Sequence, residues 1–313
     1  MTGTILINKY ALKKILVQEG VNEEAVMQEV ELWAELGEHP NICRYIGHVT
    51  ERSEEQTEVV ILCEYWSGGT LIDLLQRHKL ELVEEQIVYV TKSIAKGLKS
   101  MHGHKPPIAH RDIKVENILM EDEHFKLADF GSCSTDTLDH ANNNKNTISK
   151  KMELFEKYTT MMYRPPEMID LYKKYPVDTK VDIWMLGWVL YTLWFAKHPF
   201  QEAQKLAIVN AHYSMPDEDH KRVSEKLRDL IRLLLTPDPR KRPDIKQVLS
   251  ILRKWDEIDN IPLNDEAQTI KDKHDSISHA RGKKYKDIDH SDLLGFESPA
   301  KVPHPVHQST FSV

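Results

Sequence analysis

Apolar and polar positions along the chain follow two different rhythms, changing over near residue 68. Before that point, Ile5–Ile7, Tyr10–Val17 and Val59–Tyr65 have the length and apolar content of strands in a small sheet. Between them Val26, Val30 and Trp33 recur at helical spacing within Glu23–Leu36. Asn22 is placed to cap that helix, and Glu23 and Glu24 fall in its first turn, where the helix dipole favours acids. His39–Gly47 reads as a turn and strand start, and Glu51–Glu58 as a charged, exposed hairpin tip. Gly68-Gly69 breaks the strand pattern and predicts a boundary between residues 1–65 and 66–255.

From Thr70 the pattern is helical. Glu84–His102 sets Ile87, Val90, Ile94, Leu98 and Met101 on one side. Ile118–Met120 and Phe125–Ala128 predict a small hairpin, and Ser132–Tyr158, with its Asn run and weak periodicity, a long loop. Val181–Ala196 is apolar almost all round and predicts a central buried helix; Glu225–Leu235 and Ile245–Trp255 close the helical part. Residues 256–313 are charged, with Pro299, Pro303 and Pro305 near the end, and are expected to form a disordered tail. The fold class expected is α+β.

Composition narrows the class. The chain has 313 residues, 40% apolar and 29% charged, the balance of a globular protein. Its net charge of −7 gives no sign of a nucleic-acid partner. Cys43, Cys63 and Cys133 lie far apart with no C-x-x-C pair, so neither a disulfide framework nor a zinc site is expected. The first ten residues lack a signal-peptide core, and the run Ile183–Ala196 is too short to span a bilayer. The expectation is a soluble, cytoplasmic protein with no transmembrane segment.

The chemistry concentrates in His110-Arg111-Asp112-Ile113-Lys114-Val115-Glu116-Asn117, followed by Asp129-Phe130-Gly131 and then Arg164-Pro165-Pro166-Glu167. Phosphoryl transfer to a hydroxyl needs a carboxylate by the nucleophile, a cation by the moving phosphate and oxygen ligands for magnesium. Asp112 supplies the first, Lys114 the second, and Asn117 and Asp129 the third. Upstream, Ala11-Leu12-Lys13 matches a strand that sets a lysine on the ATP phosphates, with Glu29 on the next helix as its ion-pair partner. Lys14 and Glu31 are the competing registers. Ala11 favours Lys13, and the helix face carrying Val26 and Val30 favours Glu29.

In this order the motifs resemble the protein kinase superfamily over about residues 5–255. Within it, His110–Met120, Asp129–Ser132 and Tyr158–Tyr172 are similar to the Numb-associated kinase family, which includes adaptor-associated, cyclin-G-associated and yeast actin-regulating kinases. The resemblance implies a two-lobed kinase fold and transfer of the ATP γ-phosphate, with Mg2+, to Ser or Thr of proteins. It further implies clathrin adaptors as substrates, in endocytosis at clathrin-coated membranes. Position by position it implies that Thr160 contacts Asp112 and Lys114. Cys63 would stand behind the adenine, Glu64 and Trp66 would form the hinge whose backbone meets the adenine edge, Asp182 would hold the catalytic loop, and Arg242 would pair with Glu167. Arg111 would receive a phosphate carried by Ser134, Thr135, Thr137, Thr147, Ser149 or Thr159.

The twelve residues before Lys13 contain no G-x-G-x-x-G, and Gly3 is their sole glycine. The expectation is a sequence truncated ahead of that loop, which alone would bind ATP poorly; the competing expectation is a kinase-fold scaffold with weak ATP binding. In the tail, Leu293, Leu294, Phe296 and Glu297 fit a clathrin-box pattern. His274, His279 and His290 are too scattered to suggest a metal site.

Overall fold

The computed structural model describes residues 9–17, 23–53, 56–77, 82–138, 145–159, 161–196, 205–215 and 224–281, side chains at 145–147 and 277–281 excepted. Strands β1 (Tyr10–Val17), β2 (Tyr45–Arg52) and β3 (Thr57–Glu64) form an antiparallel sheet in the order β1-β3-β2. Val59, Ile61 and Cys63 alternate into the interior along β3, which accounts for its central place. The register sets Ala11 opposite Cys63 and Lys13 opposite Ile61. Helix α1 (Glu23–Glu35) buries Val26, Val30, Leu32 and Trp33, the face read from the sequence, and carries Glu29 on it. Ile5–Ile7, Asn22 and Gly3 lie outside the described residues.

The expected charged hairpin tip at Glu51–Glu58 lies where β2 and β3 meet, and Glu51, Arg52, Ser53 and Gln56 are exposed. Glu51 pairs with Glu58 and Arg52 with Thr57, so the ladder runs to the turn despite its polar sequence. The connection after β3 passes flush against a second hairpin, formed by β4 (Ile118–Glu121) and β5 (His124–Leu127). A Cβ at Gly68 would sit 2.3 Å from the Met120 carbonyl oxygen, so only glycine fits that crossing.

The larger part is helical. It comprises α2 (Leu71–Arg77), α3 (Glu84–His102), α4 (Lys145–Tyr158), α5 (Pro166–Ile169), α6 (Lys180–Phe195), α7 (Lys205–Val209), α8 (Glu225–Leu234), α9 (Ile245–Arg253) and α10 (Asp265–Arg281). All residues of α6 from Val181 to Phe195 are buried, as its all-round apolar sequence requires. A Cβ at Gly187 would lie 2.7 Å from Leu234 Cβ, so α6 and α8 cross as closely as they do because residue 187 has no side chain. Among the described residues no helix is long and apolar enough to cross a membrane.

Two sequence expectations are corrected. The second half of the expected loop Ser132–Tyr158 is helix α4. Its Ile148, Met152 and Phe155 recur at i, i+4 and i+7, a stripe diluted by the surrounding lysines, and Phe155 is buried. Within the expected disordered tail 256–313, the described residues 256–281 include helix α10. Asn264 Oδ1 accepts from the Ala267 N–H at 2.8 Å and caps that helix. Ile261, Ala267 and Ile270 are buried, and Lys271 reaches Asp229 of α8 at 2.9 Å. Residues 282–313, with Leu293, Leu294, Phe296 and Glu297, lie outside the described residues.

A chain ending after Trp255 is therefore expected to be less stable than one ending after Arg281. Loss of the burial of Ile261 and Ile270 alone costs about 3–6 kcal/mol, each being worth about 1.5–3 kcal/mol. Thermal melts of the two truncations check this, and coincident curves would contradict it.

Candidate active site

Strand alternation sends Lys13 and Lys14 to opposite faces of β1. Lys14 pairs with Glu58 at 2.6 Å, while Lys13 Nζ lies 2.7 Å from Glu29 Oε1 and 2.7 Å from Asp129 Oδ1. Glu31 is exposed, so Lys13 and Glu29 are the pair the structure brings together. Burial by itself would lower the lysine pKa, but Asp129 and Glu29 outweigh it and hold the ammonium well above its ordinary value. Lys13 in turn holds the Asp129 carboxyl well below the usual carboxylate range against the effect of burial. With 48% of the Asp129 side chain open to solvent, screening weakens this pair, and Asp129 stays available to a ligand.

Asp129 takes a left-handed backbone, φ 61°, which turns its carboxylate toward Lys13 while Phe130 goes into the core. Phe130 packs against Trp33 of α1 at 4.9 Å and against His110 at 5.4 Å between ring centroids. His110 Nε2 donates to the Ala128 carbonyl at 3.2 Å, and its Nδ1 accepts from the Asp112 N–H at 3.3 Å. Beneath them Asp182, fully buried at the start of α6, accepts from the N–H groups of His110 and Arg111 and from His102 Nε2, each at 2.8 Å. Burial pushes this carboxyl up, but the His102 hydrogen bond and neighbouring donors win and hold it below its ordinary value. Its contribution to stability is complete at neutral pH and is lost only as pH falls below the ordinary carboxylate range.

Asp112 is held by one oxygen. Its Oδ2 accepts from Asn117 Nδ2 at 2.8 Å and lies 2.8 Å from Lys114 Nζ, and Asn117 Nδ2 also donates to the Asp112 carbonyl at 2.9 Å. Its Oδ1 is buried and has no hydrogen-bond partner. An unsatisfied buried acceptor costs about 1–3 kcal/mol, a penalty that native structures keep where a ligand group is to be met. Asn117 commits its amide nitrogen to Asp112, which leaves its amide oxygen, with Asp129, as hard donors. Among the described residues no group of three or more His, Cys, Asp or Glu could hold a metal alone. Magnesium takes one or two protein carboxylates and completes its shell with phosphate oxygens and water, so this donor set fits a nucleotide-borne ion.

The other sequence candidates separate. Cys63 is buried on β3, its Sγ 3.7 Å from the Ala11 carbonyl. Glu64 turns its carboxylate to the rear, accepting from the Arg44 N–H at 2.7 Å and lying 2.6 Å from Lys126 Nζ, and the Trp66 ring lies under Lys126 at 5.0 Å. Both side chains are thus engaged with Lys126. Thr160 lies outside the described residues. Glu167 and Arg242, both fully buried, form a two-point ion pair at 2.7 and 3.0 Å.

Arg111 is already engaged, donating to the Asp136 carbonyl and lying 5.7 Å over the Phe155 ring, while Lys151 pairs with Asp136 at 2.5 Å. Of the hydroxyls expected to carry a phosphate, Thr159 is buried, donates to the Phe155 carbonyl at 2.6 Å and accepts from Arg164 Nε at 2.7 Å. Ser134 is also buried and accepts from the Asp136 N–H at 3.0 Å. Thr137 and Ser149 are exposed. Arg164 further donates to the Glu156 and Thr159 carbonyls, satisfying the C-terminus of α4.

The sequence pattern of the protein kinase domain matches residues 7–252. A probable serine/threonine-protein kinase of Dictyostelium discoideum is 36% identical over 253 residues, which is 79% of this chain and 31% of that protein. A second one from the same organism is 34% identical over 78% of this chain and 22% of its own length. The serine/threonine-protein kinase AKL1 of Saccharomyces cerevisiae is 37% identical over 76% of this chain and 22% of its own length. The chain thus spans between about a fifth and a third of these relatives. With the Asp112 loop, the Lys13–Glu29 pair and a helical part built around α6, it belongs to the protein kinase domain family.

Proposed function

We propose that this chain is a serine/threonine protein kinase in which Asp112 accepts the proton of the substrate hydroxyl. The observation that carries the reading is the asymmetry of the Asp112 carboxylate. Lys114 and Asn117 fix one oxygen, and the other, buried and without a partner, awaits a donor. Lys13, steadied by Glu29, would meet the non-transferred phosphates, and Asp129 and Asn117 would hold magnesium. When bound, that ion neutralises phosphate charge and orients the nucleotide. Lys114, beside Asp112, keeps its proton despite burial because Asp112 stabilises its charge, and so it offers a fixed cation to the moving phosphoryl group. The names of the relatives support serine or threonine as the acceptor.

The binding half of the reading is tested by calorimetric titration with ATP, with and without magnesium. Asp129→Ala is expected to lose the magnesium-dependent part of the affinity while Asp112→Asn keeps it; equal affinities for the two variants would contradict the division of roles. The finer reading, that the substrates are clathrin adaptors and that the tail docks on clathrin, rests on the family resemblance and on Leu293-Leu294-Gly295-Phe296-Glu297. Joint replacement of Leu293 and Phe296 by Ala is expected to abolish a clathrin pull-down, and unimpaired capture would remove the docking proposal.

A further inference from the structure

Behind the cleft, an ion pair joins the two parts of the molecule at the edge where β3 leaves the sheet. Lys126 is on β5, three residues before Asp129, and Glu64 is the last residue of β3. The two side chains, 13% and 19% exposed, meet at 2.6 Å. The same Glu64 oxygen accepts from the Arg44 N–H at 2.7 Å, and Lys126 lies over the Trp66 ring at 5.0 Å. One ammonium thus touches both ends of the Glu64–Trp66 connection. Lys126 stands on a firm base, because the neighbouring Leu127 exchanges backbone hydrogen bonds with Asn41 and Cys43 at 3.0 and 2.8 Å.

We infer that Lys126 is a positioning residue for the nucleotide: through Glu64 and Trp66 it sets the backbone of the connection that meets the adenine edge. This rests on the kinase reading above. The phosphates are held elsewhere, by Lys13 and Asp129, and Asp112 faces the substrate, so loosening this edge affects nucleotide binding and leaves the chemical step in place. Removing the ammonium also leaves the half-buried Glu64 carboxylate held by the Arg44 N–H without its counter-ion, which favours a shift of residues 64–66 toward water.

The test compares the chain with Lys126→Met, Lys126→Arg and Arg44→Gln. The last removes the exposed pair of Arg44 with Glu38 on the same surface and leaves the Lys126 contacts alone. Lys126→Met is expected to raise the KM for ATP about 3- to 10-fold, with kcat, the KM for peptide and Tm close to wild type. Lys126→Arg, which keeps the charge and the stacking over indole, is expected to restore most of the affinity, and Arg44→Gln to behave as wild type. An unchanged KM for ATP in Lys126→Met overturns the inference. So does a fall in kcat, peptide affinity and Tm together, which marks a merely structural residue. Direct titration with magnesium ATP separates this from the parent reading. A wild-type chain that binds no nucleotide overturns both, whereas equal binding by wild type and Lys126→Met overturns the lysine's role alone.

Discussion

Asp112→Asn is expected to lower peptide phosphorylation by about 10²–10⁴-fold while the protein melts like wild type. The amide oxygen can keep Asn117 Nδ2 and Lys114 Nζ as donors, so the loop retains its shape. The amide nitrogen then occupies the position of Oδ1, the one atom of that carboxylate with no partner. A nitrogen bearing two hydrogens cannot accept a proton there, so the loss falls on the transfer step and not on folding or nucleotide affinity. Turnover within a few-fold of wild type would remove Asp112 from the role assigned to it.

Glu167→Gln is expected to act in the opposite way, through stability. Glu167 and Arg242 are both fully buried, and the guanidinium also donates to the Thr236 carbonyl at 3.0 Å and the Lys180 carbonyl at 2.7 Å. It therefore joins the segment following the active site to the start of α6 and the approach to α9. Losing one charge of a buried pair strands the other, which costs about 3–5 kcal/mol. Denaturant unfolding should show a drop of that size in Glu167→Gln. A change below about 1 kcal/mol, the worth of an exposed pair, would mean that the site is wetter than its burial indicates.

The sequence made legible those features whose signal is local. β1 at Tyr10–Val17 and α3 at Glu84–His102 have the bounds expected from their periodicity. Lys13 and Glu29 were separable from Lys14 and Glu31 because Ala11, two residues before Lys13, and one helix face suffice to choose between them. Asp112, Lys114 and Asn117 sit within six residues, so their spacing alone indicated a cluster. Helices α4 and α10 were illegible for a common reason: each has a narrow stripe, Ile148–Met152–Phe155 or Ala267–Ile270–His274, within a lysine- and acid-rich sequence. Their stability comes from tertiary partners, such as Phe155 beneath Arg111 and His274 Nε2 donating to the Tyr213 carbonyl at 2.9 Å. Lys126 was illegible because its partners, Glu64 and Trp66, are some sixty residues away in sequence.

The most direct test of the account is to incubate the chain with γ-labelled ATP, magnesium and a generic protein acceptor, and to identify the labelled amino acid after hydrolysis. The account predicts label on serine or threonine, and none of it when Asp112 is replaced by Asn. Label on tyrosine, label persisting in Asp112→Asn, or bound nucleotide with no transfer would contradict it.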